Sequence, residues 1–449
     1  MITFSGDANI EQSHIKKSAG IMTKQNIGSN SPGEKKFGGF DYLKITIFGF
    51  ALTALWSSLG SILLPIRILA YVPEAQKNTY LGLLTFAGLI VAIIVQPVAG
   101  TFSDFTRSRW GRRRPYIVLG MLFSLVLLPG IGLATTYIAL FIPFCLLSIF
   151  TNTAQASYQA FIPELVPPDK RGLASGIKST LEVLGGVALV RVTAYFMGHY
   201  FGGGGEYWMW IALGTLMAVL FIATIVTVLT VKEPPSLGTA GLSKAVFRQR
   251  LKIDLKVSPD FRWFLLSRGL LGVPGIALQI YTLYYLMDVV KIPNPASVAG
   301  DLIVVVGICL LLTAFPAGRL SDRIGRKPIV IASGILGAIG VIVLLFSRNY
   351  LQLMFAGALI GMANGALLSG SWALATDLAV GGEEAKYLGL TNLAVAGGSA
   401  LARLFGPVID LFNGMRQGLG YQVMLLLCLT SLIAGTLILI KVKQTKPPL

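Results

Sequence analysis

Apolar runs of about 20 residues, the length that crosses a hydrocarbon core of roughly 30 Å as a helix, recur in this chain from Phe40 almost to the C-terminus. Inside lipid the backbone has to satisfy its own N–H and C=O groups, so runs of this length predict membrane-spanning helices. Spans are expected near 40–71, 79–103, 115–135, 137–162, 171–197 and 206–231, then 260–290, 299–320, 328–347, 350–377, 385–412 and 419–441, twelve in all. The third and fourth meet at Thr135, Thr136 and Tyr137 with almost no loop. A content of 54% hydrophobic and 13% charged residues agrees with a bilayer as solvent.

The net charge of +17 does not require a nucleic-acid partner, because Lys and Arg gather where membrane topology demands them. When the loops alternate sides, 29 of the 37 basic residues fall on one side. Lys77, Lys291, Arg348 and Arg416 lie on the other, and Arg67, Arg191, Arg268 and Arg403 lie within spans. The positive-inside rule then puts both termini in the cytoplasm of a multi-pass cell-membrane protein. The first 36 residues hold no apolar stretch of seven and read as a disordered cytosolic tail rather than a signal peptide. Cys145, Cys309 and Cys428 all sit in apolar runs, as packing residues do.

The chain also repeats itself. Gly100-Thr-Phe-Ser-Asp104 followed by Gly111-Arg-Arg-Arg-Pro115 returns as Gly318-Arg-Leu-Ser-Asp322 followed by Gly325-Arg-Lys-Pro328, the aspartates 218 residues apart. Glu164-Leu165 with Gly176 is echoed by Asp377-Leu378 with Gly389. Two parallel halves follow: a tail at 1–38, a six-helix bundle at 39–231, a polar, basic linker at 232–259, a second bundle at 260–442 and a tail at 443–449. The fold class is thus an all-α membrane protein of twelve transmembrane helices in two pseudo-symmetric bundles.

The glycine, acid and basic cluster, present after the second span of each half, resembles the loop signature of the major facilitator superfamily. The resemblance covers roughly residues 40 to 442 and implies alternating access, with Asp104 and Asp322 latching the cytoplasmic side. An acid at a helix end accepts charge-assisted hydrogen bonds and gains about 0.3–1 kcal/mol beside a neighbouring helix N-terminus. Gly100, Gly111, Gly318 and Gly325 allow close approach or left-handed turns, and Arg112, Arg113 and Arg326 supply the basic partners. The first copy is four residues longer before its glycine, which looks like the sucrose-type transporters and the glycoside:cation symporters of the melibiose permease kind. Sodium-binding acids of the melibiose type have no counterpart between Tyr80 and Gly100; the sucrose-type resemblance implies proton coupling.

A charge inside the membrane costs at least about 2.5–3.5 kcal/mol, so each is a functional candidate. Among the carboxylates Glu182 alone is deep, about 16 Å beyond Arg171 at 1.5 Å per residue. Lys178, one turn away, either forms a structural pair with it or shares a proton-coupling role. For solute binding, Asn152, Gln155 and Gln159 share a face of the fourth span. Arg268 and Gln279 share a face of the seventh, with Gly272 and Gly275 between them to open room. Asn364, Ser371, Trp372 and Asn392 extend the set. Each amide has an alternative role as an interhelical hydrogen bond, worth about 0.6 kcal/mol on average. Tyr281, Tyr284 and Tyr285 are expected in an interfacial aromatic belt, and Arg67, Arg191 and Arg403 are expected to snorkel from outer helix ends.

Two histidines, His14 and His199, build no metal centre, and no phosphate loop or nucleophile triad is present. No enzyme, metal or cofactor is expected beyond a coupling proton. The expected activity is proton-coupled symport of a sugar or glycoside by a monomer. Proton-coupled export of an amphipathic compound and a non-transporting sensor or assembly role are the alternatives.

Overall fold

The computed structural model describes residues 38–233, 257–379 and 384–443. The predicted tail at 1–38, except Gly38, and most of the linker at 232–259 and of the tail at 443–449 lie outside the described residues. Two compact units divide between Asp41 and Tyr42. Of the first unit only Gly38 to Asp41 is described, where the Gly38 N–H donates to the Asp41 carboxylate at 2.9 Å.

Among the described residues twelve helices are long and apolar enough to span a membrane: α1 (Gly39–Leu69), α2 (Glu74–Phe105), α3 (Arg114–Leu133), α4 (Tyr137–Leu165), α5 (Pro168–Gly204), α6 (Tyr207–Thr230), α7 (Pro259–Val290), α8 (Pro295–Ile324), α9 (Arg326–Phe346), α10 (Tyr350–Asp377), α11 (Lys386–Met415) and α12 (Leu419–Ile440). Their starts follow from local chemistry. The side chain of Thr136 accepts the Ala139 N–H, Ser258 that of Phe261, Asn294 that of Ser297 and Asn349 that of Gln352. Each satisfies a donor that a helix N-terminus leaves orphaned. The cap at Thr136 lets α3 turn into α4 with hardly any loop.

In the first half α3 packs on α4 and α6, α2 on α4, and α5 on α6; in the second, α8 and α9 pack on α10, and α7 on α11 and α12. Lipid supplies no hydrophobic force between apolar helices, so close approach depends on small residues. A Cβ at Gly361 on α10 would stand 2.4 Å from the Val306 carbonyl oxygen of α8, and one at Gly120 on α3 would stand 2.5 Å from that of Phe150 on α4. The halves meet through α1 with α7, α2 with α11, and α5 with α8.

Two sequence expectations fail at the helix ends. Tyr281, Tyr284 and Tyr285 form no interfacial belt: all three are buried, and their hydroxyls donate to the carbonyls of Arg403, Pro65 and Leu344 at 2.7, 2.7 and 3.0 Å. Buried hydroxyls need such partners. Arg67 does not snorkel either; it is 4% exposed and donates to the carbonyls of Gly132 and Ala134 at 3.0 and 2.7 Å. There it satisfies orphaned carbonyls at the C-terminus of α3.

Candidate functional site

The loops after α2, α4 and α8 define a basic face of the bundle, and the α1–α2, α7–α8 and α11–α12 connections define the opposite face. The two faces differ in how the halves meet. On the opposite face, Lys77 of α2 reaches Asp288 of α7 at 2.7 Å. Asp410 of α11 accepts from the Asn78 side chain at 2.8 Å and the Thr79 N–H at 2.6 Å. Arg191 of α5 pairs with Asp301 of α8 at 2.8 Å. Backbones touch there as well: a Cβ at Gly406 would lie 2.2 Å from the Asn78 carbonyl oxygen, and one at Gly82 2.4 Å from that of Arg403. Towards the basic face the glycines of the same helices make no such approach. Cβ atoms at Gly100 on α2, Gly172 and Gly176 on α5, and Gly389 on α11 would meet nothing within 4 Å.

Between the halves lie two adjoining cavities that share Ser57, Ile276 and Gln279. One of about 390 Å³ is lined by Arg268, Gly272, Gly275, Gln279 and Asn364 among others. The other, of about 260 Å³, is lined by Trp56, Asn152, Gln155, Gln279 and Arg403 among others. The spacing of Arg268, Gly272, Gly275 and Gln279 on α7 thus places all four on one wall. Gln155, Gln279 and Asn364 line cavities as amides with no hydrogen bond among the described residues. Asn152 is engaged: it accepts from Gln96 at 2.7 Å and donates to the Ser148 carbonyl at 2.7 Å. Gln159 and Asn392 are exposed, Trp372 is half-buried, and Ser371 is fully buried with an unpartnered Oγ. None of these four lines either cavity.

Lys178 and Glu182 form an ion pair at 3.1 Å. The pair is set inside the first half: a Cβ at Gly49 of α1 would lie 2.6 Å from both a Glu182 carboxylate oxygen and the Tyr158 hydroxyl. The Lys178 ammonium stands 5.6 Å from the Tyr158 ring centroid, close enough for a cation–π contact.

The loop signature resolves into two different constructions. In the first half Arg113 donates to Asp104, to Glu164 and to Ser103 Oγ, while Arg112 reaches Glu164 at 3.0 Å. Glu233, just past α6, accepts the Arg113 N–H at 2.9 Å; burial is the main cause that raises its carboxyl pKa. In the second half Arg326 binds Asp377 and the Ala373 carbonyl, and Asp322 is exposed with no partner among the described residues. Gly111 and Gly325 have φ of +91° and +97°, values that disfavour a side chain. Gly318 lets α8 approach Ser369 of α10, its Cβ position 2.9 Å from the serine Oγ. Gly100, expected to serve a turn or close contact, lies within α2 facing open space.

Sequence reasoning left Arg403 aside as a snorkelling residue and missed Trp56 and Ser57. Its place inside a span was signal enough for Arg403; a serine and a tryptophan on an apolar helix carry none.

Residues 70–442 match the family model described as MFS/sugar transport protein. The chain belongs to this family of membrane transporters. Within it, a lactose permease of Lactobacillus helveticus is 26% identical over 66% of this chain and 49% of its own length. The chain thus spans about half the length of the lactose permeases it matches. Multidrug resistance protein MdtG of Klebsiella pneumoniae (strain 342) is 28% identical over 73% of this chain and 76% of its own. Among solved structures, a point mutant of the nucleoside transporter NupG aligns over 90% of this chain and all of its own with a TM-score of 0.70 at 13% identity. An inward-facing, unoccupied bacterial homologue of the human lysosomal transporter Spinster gives 0.66 at 16%, covering 92% of this chain and all of its own. These structural likenesses confirm the twelve-helix fold of this MFS/sugar transport family member, an integral multi-pass membrane protein.

Proposed function

We propose that this family member moves a sugar or glycoside across the cell membrane by proton-coupled symport. The observation that carries the reading is a pair of adjoining cavities walled by both halves, with the uncommitted amides Asn364 in the larger, Gln155 in the smaller and Gln279 in both, and one face closed by contacts between the halves. Paired with sugar hydroxyls, such amides act as both donor and acceptor. A volume of about 390 Å³ falls in the roughly 300–1,000 Å³ range of small-molecule sites. By the positive-inside rule the basic face is cytoplasmic, so the cavity opens inward and the contacts around Lys77, Asp288, Asn78 and Asp410 close the outer gate. Rocking of one half against the other would break those contacts and bring Gly100 and Gly176 of the first half towards the second.

Glu182 is the coupling residue in this reading, with Lys178 as the group that takes over or releases its charge. Proteoliposome uptake of labelled lactose and other glycosides, with and without an imposed pH gradient, tests the function. An outward-acid gradient should drive accumulation. Glu182→Gln should abolish accumulation yet retain downhill exchange, since a neutral site still binds and rocks. Full uphill transport in Lys178→Met with Glu182→Gln would falsify the coupling role.

A second reading is export of an amphipathic compound in exchange for protons. Leu, Ile and Val residues make up much of the larger cavity wall, and multidrug resistance proteins match this chain at comparable identity. Proton-driven efflux of a lipophilic dye without sugar uptake would select it.

A further inference from the structure

The cavities hold positive charge that the fold leaves unanswered. Arg268 on α7 lines the larger cavity at 9% exposure, its Nε is buried with no hydrogen-bond partner, and no ion pair engages it among the described residues. Arg403 on α11 lines the smaller cavity. Among the described residues it donates only to the Ser399 carbonyl, at 2.9 Å, and its Nε is likewise buried and unpartnered. Among the described residues no Asp or Glu lines either cavity. The acids at membrane depth and at the closed face are already committed: Glu182 to Lys178, Asp288 to Lys77, Asp301 to Arg191, and Asp410 to Asn78 and Thr79.

A guanidinium cannot shed its proton to escape this setting, and a buried cation without a counter-charge is costly to keep. Its planar fork of donors matches a carboxylate or a phosphate, and such bonds are about twice as strong as neutral ones. Arg67 also leaves its Nε unpartnered, but it lines neither cavity and its guanidinium is engaged by two backbone carbonyls, while Arg113 is engaged by two carboxylates. We infer that the transported solute carries an anionic group, a carboxylate or a phosphate ester, that docks on Arg268. Arg403 contributes attractive potential from the adjoining cavity, and Gln279, on both walls, reaches the uncharged body of the same molecule. This rests on the transport reading for the solute's size and hydroxylated body; the charge of the solute stands on the arginines alone.

The test measures binding to the detergent-purified full chain by calorimetry at low ionic strength, with glucose, glucuronate, glucose 6-phosphate and lactose as probes. At least one of the two anionic sugars should bind roughly tenfold to a hundredfold tighter than glucose, the range of a hydrogen-bonded charge. The carboxylate and phosphate arms tell which anion is read. Arg268→Gln should abolish the preference, whereas Arg268→Lys should keep part of it. If the glutamine variant does not fold, the wild-type preference and its loss at high salt still decide. Equal binding of glucose and both anions, or an unchanged preference in Arg268→Gln, overturns the inference. Lactose uptake with neither anion bound would overturn it and leave the sugar-transport reading standing. Anion binding without any sugar flux would do the reverse.

Discussion

The loop after α2 and the loop after α8 carry the same signature of glycine, acid and basic residues, yet the physical chemistry differs. After α2 the connection runs over residues 106–113, and Arg113, at 4% exposure, holds Asp104 and Glu164 together in a partly desolvated cluster. After α8 Gly325 alone separates the helices. Arg326 there pairs with one carboxylate, Asp377, whose side chain is 43% exposed, and Asp322 stands apart. Four extra residues before the glycine give the first copy enough chain to fold its arginine back beneath the ends of α2 and α4. The motif therefore specifies a turn in both halves, but a charge network in one.

Removing the hub of that network should have the largest effect. Arg113→Gln removes the buried guanidinium that joins Asp104 to Glu164, while Arg112 still reaches Glu164, and should cost about 2–3 kcal/mol, the upper range for hydrogen bonds to charged groups. The apparent Tm of the purified protein should fall by several degrees, and Arg326→Gln should hardly change it. Next in size is the acid that closes each cluster. Glu164→Gln weakens bonds to both Arg112 and Arg113 and should cost about 1–2 kcal/mol, against about 0–1 for Asp377→Asn at an exposed pair. Equal losses in chemical denaturation for the two substitutions would erase the distinction between the loops.

The fold was legible because hydropathy reports a local property, residence in lipid, that each span carries in its own residues. The turn glycines Gly111 and Gly325 were legible for a similar reason, since a tight turn constrains its own residue. On α7 the helical period was enough to put Arg268, Gly272, Gly275 and Gln279 on one wall. Choices made across helices were not legible. Asn152 has the same chemistry as Gln155, but Gln96 and Ser148 take it up while Gln155 stays uncommitted. Tyr284 sits at the depth of a membrane belt, and only the position of the Pro65 carbonyl on α1 decides that it turns inward.

Glu233 offers a pH test of the first loop. Its carboxylate meets Gly111 and accepts the Arg113 N–H, and burial raises its pKa from an ordinary 4.5. The folded state therefore binds this proton more tightly than the unfolded state does. Stability from this group falls as pH rises from 4.5 through the raised value, and the penalty stays constant above it. Glu233→Gln should remove that slope from the Tm-against-pH curve and leave neutral-pH stability equal or slightly higher. A slope unchanged in the variant would assign the pH dependence to another group.

The smallest effect on stability belongs to Asp322. With no partner among the described residues, Asp322→Asn should shift unfolding free energy by less than about 0.5 kcal/mol, as at an unengaged surface site. Transport should nevertheless fall if Asp322 finds its partner only when the basic face closes. A charge set against a helix N-terminus contributes up to about 1 kcal/mol, enough to change a two-state population roughly fivefold. The pair of measurements, apparent Tm and initial uptake rate, separates three outcomes. A stable but slow variant places Asp322 in the closed conformation. A drop in Tm like that of Arg113→Gln would mean that the loop after α8 is a charge network after all. Unchanged stability and unchanged rate would leave the second copy as a turn with one surface ion pair, and gating by this signature would then rest on the first half alone.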